Sequence, residues 1–225
     1  ITVTVTNVND NSPAFTSDAA FSVVENQTGI GTITATDDDG DTLSFSLSGT
    51  DASSMSINSS SVVLVFNSAP DYETKTSYSA TVTASDGTNS TTQDITITIT
   101  DIDDTAPVFT SSASFSAAEN QTSIGTVTAT DTDTDDSSIV FSVSGSELSI
   151  TSGGVLTFAS APDYETKSSY TATVTASDGT NSSTQDITVT ITDIDDTAPV
   201  FTSSASFSAA ENQTSIGAIA VTDID

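Results

Sequence analysis

The sequence has no cysteine, histidine, tryptophan or arginine, and only two lysines stand against 31 acidic residues. Each shortage removes a class of protein. Without cysteine there are no disulfide staples, no thiolate metal centre and no thiol redox chemistry. With histidine also missing, the remaining route to hydrolysis is a carboxylate pair of the glycosidase kind. Every clustered carboxylate recurs in each repeat of the chain, so no catalytic pair is singled out and an enzyme is not expected. A net charge of −29 leaves almost nothing to neutralise a phosphate, which excludes nucleic acid and disfavours anionic membrane surfaces. Neither a signal peptide nor an apolar run of membrane length is present. The chain opens inside a strand pattern (ITVTVT) and stops inside a motif (VTDID). It therefore reads as a piece of a longer protein, with any targeting or anchoring segment elsewhere.

What the chain does have is repetition. The stretch from Ala69 (APDYETKTSYSATVTASDGTN) returns almost verbatim from Ala161 (APDYETKSSYTATVTASDGTN). Asp71 recurs as Asp163 and Asp101 as Asp193, both 92 positions on, whereas Glu25 recurs as Glu119 after 94. The period is domain-sized, longer than a solenoid unit, so each copy is expected to have its own core. Four pieces follow: the last strand and linker of one repeat (1–12), whole repeats at 13–105 and 106–197, and the beginning of another at 198–225.

Hydrophobic content is only 35 %, but it falls in short runs that alternate with Ser and Thr, as in Ile95-Thr-Ile-Thr-Ile-Thr100. Period-two alternation marks strands with one buried and one wet face. In the first whole repeat such runs cover 14–24 (A), 32–36 (B), 43–47 (C), 55–57 (D), 62–66 (E), 78–84 (F) and 94–100 (G). Seven strands in about 92 residues predict an all-β chain of tandem immunoglobulin-like antiparallel β-sandwiches. Tyr78, Tyr170 and the regularly spaced Phe residues are read as core.

The acids are not scattered. If successive strands reverse direction, the loops after A, E and G share one pole of a module and those after B and F share the other. The first pole then carries Glu25, Asp71, Glu73, Asp101, Asp103 and Asp104, and the second carries Asp37, Asp39 and Asp86. In the next copy the second pole carries Asp131, Asp133 and Asp178. Stacking modules end to end brings nine of these carboxylates to one junction: Glu25, Asp71, Glu73, Asp101, Asp103, Asp104, Asp131, Asp133 and Asp178. Like charges at such density repel without counter-charge. An irregular set of oxygen donors suits Ca²⁺ better than Mg²⁺, and three such ions offset six of the nine charges. An EF-hand does not explain the acids, because Thr42 and Ser48 stand where its loop needs Gly and Glu. The Gly-rich nonapeptide of calcium β-rolls is absent.

These motifs, in order, are VENQ, the Asp37–Asp39 pair, DYE at 71–73, ASDG around Asp86 and TDIDDTAPVF. Together with NVNDNSP at 7–13, they resemble the signatures of the cadherin-repeat family along essentially the whole chain. The resemblance implies about three calcium ions per complete junction. It assigns the first to Glu25, Asp71, Glu73 and Asp104, and the second to Glu25, Glu73, Asp101, the Ile102 carbonyl, Asp104 and Asp133. It assigns the third to Asp103, the Thr105 carbonyl, Asp131, Asp133, Asp178 and a carbonyl near Asp136. A first junction, around Asn9 and Asn11, keeps only its upper side (Asp37, Asp39, Asp86). The last has Glu119, Asp163 and Glu165 below, Asp193, Asp195 and Asp196 in its linker, and Asp223 and Asp225 above. Its upper half is expected to be unfolded, because the module stops before its F loop.

The chain departs from the family's pattern in several places. Asp103 replaces an Asn, Asn7 replaces an Asp and should weaken its site, and Tyr72 replaces the Arg of Asp-Arg-Glu. No Pro follows the Glu-Asn of VENQ. By resemblance the function is that of an extracellular, calcium-binding tandem-repeat region of a cell-surface or secreted adhesin. The alternative is a passive rigid spacer. Expected partners are the neighbouring repeats and a like module, a carbohydrate or another cell surface. Six N-x-S/T sequons (Asn26, Asn58, Asn89, Asn120, Asn181, Asn212) arise readily in so Ser/Thr-rich a chain.

Overall fold

The computed structural model describes residues 1–59, 61–133 and 138–225. The chain divides into two compact units, Ile1–Asp103 and Asp104–Asp225. The first contains β1 (Ala14–Phe15), β2 (Ala20–Val24), β3 (Gly29–Thr32), β4 (Ala35–Thr36), β5 (Ser44–Ser48), β6 (Met55–Ile57), β7 (Val63–Phe66), β8 (Ser77–Ser85) and β9 (Ser90–Thr100). A single 3₁₀ turn, Ala52–Ser54, precedes β6. These make a four-stranded sheet in the order β2-β9-β8-β5, a three-stranded sheet β3-β7-β6, and the short pair β1-β4. The seven expected strands are all there, with A and B each broken in two. Strand A changes sheets: β1 pairs antiparallel with β4, and β2 then runs parallel to β9. Strand reversal gives A and G the same direction, but nothing in the alternation shows that they are neighbours, so this parallel pairing was not visible in the sequence.

The core lies between the two sheets. Ile95, Ile97 and Ile99 of β9 point inward at 1 %, 0 % and 1 % exposure, while Thr96, Thr98 and Thr100 point out. They pack with Val23, Ile33, Met55, Leu64, Phe66, Ala80 and Val82. Each fully buried Ile or Leu contributes about 1.5–3 kcal/mol of transfer free energy, so a modest set of such residues suffices for a small sandwich. Phe66 and Tyr78 meet edge to face with centroids 4.8 Å apart.

The second unit repeats this architecture with β10 (Val108–Phe109), β11 (Ser114–Ala118), β12 (Ser123–Thr126), β13 (Ala129–Thr130), β14 (Val140–Val143), β15 (Leu148–Ile150), β16 (Val155–Phe158), β17 (Ser169–Ser177) and β18 (Ser182–Thr192). The sheets are β11-β18-β17-β14, β12-β16-β15 and the pair β10-β13. Beyond them β19 (Val200–Phe201) and β20 (Val221–Thr222) form an antiparallel pair. Residues 1–6 are exposed and belong to no strand. Phe201, Ile216 and Ile219 are likewise exposed, at 70 %, 66 % and 69 %. Among the described residues there is no α-helix, and no helix long and apolar enough to cross a membrane.

Candidate metal centres at the module poles

The lower pole of each unit is organised by one buried carboxylate. Glu25, at 1 % exposure, follows β2 and enters the turn through Asn26, whose φ is +62°. Its Oε2 accepts the Tyr72 amide at 2.8 Å and its Oε1 accepts the Ile102 amide at 2.9 Å. One side chain thus ties the DYE loop and the start of the linker to the end of strand A. Glu119 repeats this, accepting the Tyr164 and Ile194 amides, each at 2.8 Å. Around these anchors, carboxylate oxygens of Glu25, Glu73 and Asp101 lie within 4.8 Å of one another, as do those of Glu119, Asp163 and Glu165. Asp71 stands outside the first of these groups. Its oxygens accept the Thr74 amide at 3.1 Å and the Thr74 hydroxyl at 3.0 Å, and so cap the turn that presents Glu73. Asp163 makes the same turn with Thr166 and belongs to the second group as well.

The upper poles use an Asp-x-Asp loop as a cradle for the incoming linker. Asp39 Oδ2 accepts the amides of Asp10 and Asn11 at 2.9 and 2.8 Å. In the second unit Asp133 Oδ2 accepts those of Asp104 and Thr105. The first members of the loops, Asp37 and Asp131, brace the turn from within through the amides of Asp39 and Asp133. Asp86 and Asp178 each accept two amides of their own loop at 2.6 Å. Among the described residues, the buried Oδ2 atoms of Asp37 and Asp178 accept no hydrogen bond. A buried carboxylate oxygen without a donor is costly, and a hard cation is the partner such an atom fits. Asp41, which with Asp37 and Asp39 fits the first ligand positions of the rejected EF-hand loop and was not expected at a junction, joins those two in a third close group of carboxylates. The DDDGD run at 37–41 was the available signal. Asp136, expected to offer a carbonyl, lies outside the described residues.

The last junction is built inside the second unit. Asp225 Oδ2 accepts the amides of Asp196, at 2.9 Å, and Thr197, so the Asp-x-Asp cradle forms although the chain carries no F loop after it. The upper half, expected to be unfolded, has β19 paired with β20 while its apolar residues Phe201, Ile216 and Ile219 stay exposed, so no sandwich stands behind the cradle. Oxygens of Glu165, Asp196 and Asp225 lie within 4.8 Å, and Asp223 is outside this group. The charge density registers in proton affinity. Loss of hydration, then the charges of Glu119, Asp225, Asp195 and Asp196, raise Asp193 above the ordinary carboxylate value. Glu165 is also raised: the pull of its own backbone amide, its largest single influence, is outweighed by desolvation and the charges of Glu119, Asp225 and Asp193.

At the first linker the direction reverses. Asp39 is lowered, chiefly by the Asn11 amide and also by the Asn11 side chain and the Asp10 amide, against a smaller push from desolvation. Desolvation is the largest influence on Asp86 and raises it, but the Asn89 and Thr88 amides and the Asn9 and Asn89 side chains together lower it. Asn89 Nδ2 also donates to Asn9 Oδ1 at 3.0 Å and to the Asn11 carbonyl at 2.9 Å. Both lysines follow the DYE loops, but their ammonium groups pair away from the clustered acids: Lys75 with Asp51 and Lys167 with Glu147. Each also lies over a tyrosine ring, Tyr78 at 4.5 Å and Tyr170 at 4.3 Å.

Fold and poles together define a tandem of β-sandwich repeats joined by acidic linkers. The Cadherin domain family matches residues 112–192. Human protocadherin Fat 4 is 32 % identical over 219 residues, covering 89 % of this chain and 4 % of that protein. The Drosophila protocadherin-like wing polarity protein stan is 33 % identical over 233 residues, covering 90 % of the chain and 6 % of that protein. The crystal structure of mouse cadherin-23 EC22-24 superposes with a TM-score of 0.77 at 25 % identity, covering 96 % of this chain and 79 % of that one. The protocadherin gammaB4 extracellular domain gives 0.76 at 27 % identity, covering 98 % and 39 %. The chain belongs to the cadherin-repeat family, whose members are adhesion proteins and not enzymes. It spans only a few per cent of the length of the curated relatives it matches, 4 % in the case of human Fat 4.

Proposed function

We propose that this chain is a calcium-binding extracellular stretch of a cell-surface or secreted adhesin, in which Ca²⁺ at the inter-repeat junctions stiffens the array. The observation that carries this reading is the accumulation of carboxylate oxygens at the poles in a protein whose two lysines are both engaged elsewhere. The buried, donorless oxygens of Asp37 and Asp178 support it. The holders at the last junction are Glu119, Asp163, Glu165, Asp193, Asp195, Asp196 and Asp225. By recurrence of sequence, Glu25, Asp71, Glu73, Asp101, Asp103 and Asp104 with Asp131, Asp133 and Asp178 are the holders at the linker 101–105. About three ions per complete junction, and a division into repeats 13–105 and 106–197 flanked by 1–12 and 198–225, belong to the same proposal. Bound calcium supplies the positive charge these oxygens need in order to stay close. The protein's own part is positional: Glu25 and Glu119 hold loop and linker together, and Asp39, Asp133 and Asp225 hold the linkers.

Calorimetric titration of the full chain should show several calcium ions bound, reversed by chelator. Small-angle scattering should differ between the two conditions, because repulsion at the linkers is relieved in one of them. No calcium uptake at millimolar concentration, with identical scattering, would leave the acids as a solvated surface. A passive spacer is the second reading, favoured by the near-verbatim recurrence of 69–89 at 161–181. A like module is the favoured partner in an adhesive role, ahead of a carbohydrate, since a protocadherin gammaB7 EC3-6 cis-dimer is among the similar structures. Sedimentation in calcium separates the two: a monomer supports the spacer, and a tight dimer supports adhesion between like modules.

A further inference from the structure

The sequon Asn120-Gln121-Thr122 carries an asparagine with two structural commitments. Its backbone is left-handed, with φ +61°, and its amide donates to the Pro162 carbonyl at 2.9 Å. Its side-chain Nδ2 donates to Asp196 Oδ2. Asp196 is exposed and sits in a linker of acids, and its other oxygen accepts the Thr197 hydroxyl at 3.2 Å. A carboxylate so placed among Glu165 and Asp225 is pushed outward by its neighbours, and the Asn120 carboxamide is a neutral donor that holds it in. We infer that Asn120 is a positioning residue of the last junction, fixing the carboxylate of Asp196 toward the cation. This rests on the calcium reading proposed above. Groups that orient a metal's ligands without touching the metal commonly change affinity by 10–100-fold when removed. For an exposed donor the lower end, about tenfold, is expected.

The left-handed backbone has a structural role of its own, so the variant has to separate the two. Asn120→Gly keeps the φ, the backbone donor and the turn, and removes only the carboxamide. The full chain, with calcium as the probe, is titrated while the Asp196 and Thr197 amide resonances are followed by NMR, and the unfolding temperature is measured in chelator. Asn120→Gly should shift the titration at those two amides to about tenfold higher calcium. The unfolding temperature in chelator should stay unchanged. A titration unchanged in Asn120→Gly, in a chain that does bind calcium, overturns the inference. So does a loss of affinity matched by a fall in the chelator unfolding temperature, because the residue is then structural only. Failure of the unaltered chain to bind calcium instead defeats the reading on which it rests.

Discussion

At the scale of single residues, two backbone positions behave oppositely in equivalent places. Val62 and Gly154 each precede the E strand and each accept an amide from strand B, those of Ile33 at 3.0 Å and Val127 at 2.9 Å. Gly154 has φ +87° and lies so near the Val127 carbonyl that a Cβ there would fall 2.2 Å from its oxygen. Val62 holds φ +53° with a β-branched side chain, a conformation such residues rarely adopt. Val62→Gly should therefore stabilise the first unit by about 0.5–1 kcal/mol, the relief of strain exceeding the extra backbone entropy of glycine. Thermal unfolding of the two proteins in chelator checks this, and a fall in midpoint would show Val62 to be held by its packing. Glu25 is the converse case, a buried charge that two backbone donors need. Glu25→Ala leaves the Tyr72 and Ile102 amides without that acceptor. It should cost the first unit about 2–4 kcal/mol even without calcium, read from urea unfolding, with Glu25→Gln costing less.

At the scale of elements, Asp51 joins the turn after the C strand to strand F. It accepts the Ser79 amide at 2.8 Å and pairs with Lys75. The Lys75 side chain first, then the Ser79 amide, and against some desolvation, hold its carboxyl below the ordinary carboxylate range. A folded-state value below the unfolded one means that the folded protein binds fewer protons in acid. The contribution is then complete above the ordinary carboxylate range and is lost as pH falls through the folded value. Unfolding midpoints from pH 6 to pH 2 should fall more steeply in the unaltered protein than in Asp51→Asn below about pH 4. Parallel curves would show the pair to be inert. Strands were legible in the sequence because alternation of Ile with Thr reports burial directly, as in β9. The pairing of β2 with β9 was not legible, since alternation does not show which strands are neighbours. The polar position of the acids was legible from strand reversal alone. That Glu25 is buried and doubly bonded was not, because a Glu after a strand reads the same whether it faces solvent or two amides. The linkers are the subtlest case: NVNDN has two amides, Asn7 and Asn9, where DIDDT has Asp101 and Asp103, and Asn11 where it has Thr105. Only the geometry shows that Asn11 bonds to Asp39 through its amide and its side chain, lowering it, and that Asn9 helps to lower Asp86.

At the scale of the whole molecule, a charge of −29 carried with only two lysines makes stability a question of counter-charge. The acids are gathered at the poles, so their repulsion acts over a few ångströms inside each cluster and over longer distances along the chain. Simple salt screens the second part well, since the Debye length at 0.1 M is about 10 Å. It screens the first part poorly, because neighbouring oxygens in one cluster are far closer than that. On the proposed reading calcium would act on the first part by occupying the cluster itself, adding about 2.7 kcal/mol per independent site at a hundred times its dissociation constant. The two kinds of cation should therefore differ in magnitude and interfere with each other. In chelator, the unfolding midpoint should rise by several degrees between 10 mM and 500 mM sodium chloride. In millimolar calcium it should start higher and depend less on salt. Magnesium at equal concentration should raise it less, because the smaller ion demands octahedral order that an irregular set of carboxylates does not supply. Differential scanning calorimetry across these six conditions tests the argument. Equal midpoints in magnesium and calcium, or a salt dependence that calcium leaves untouched, would mean that the clusters are screened from outside rather than filled.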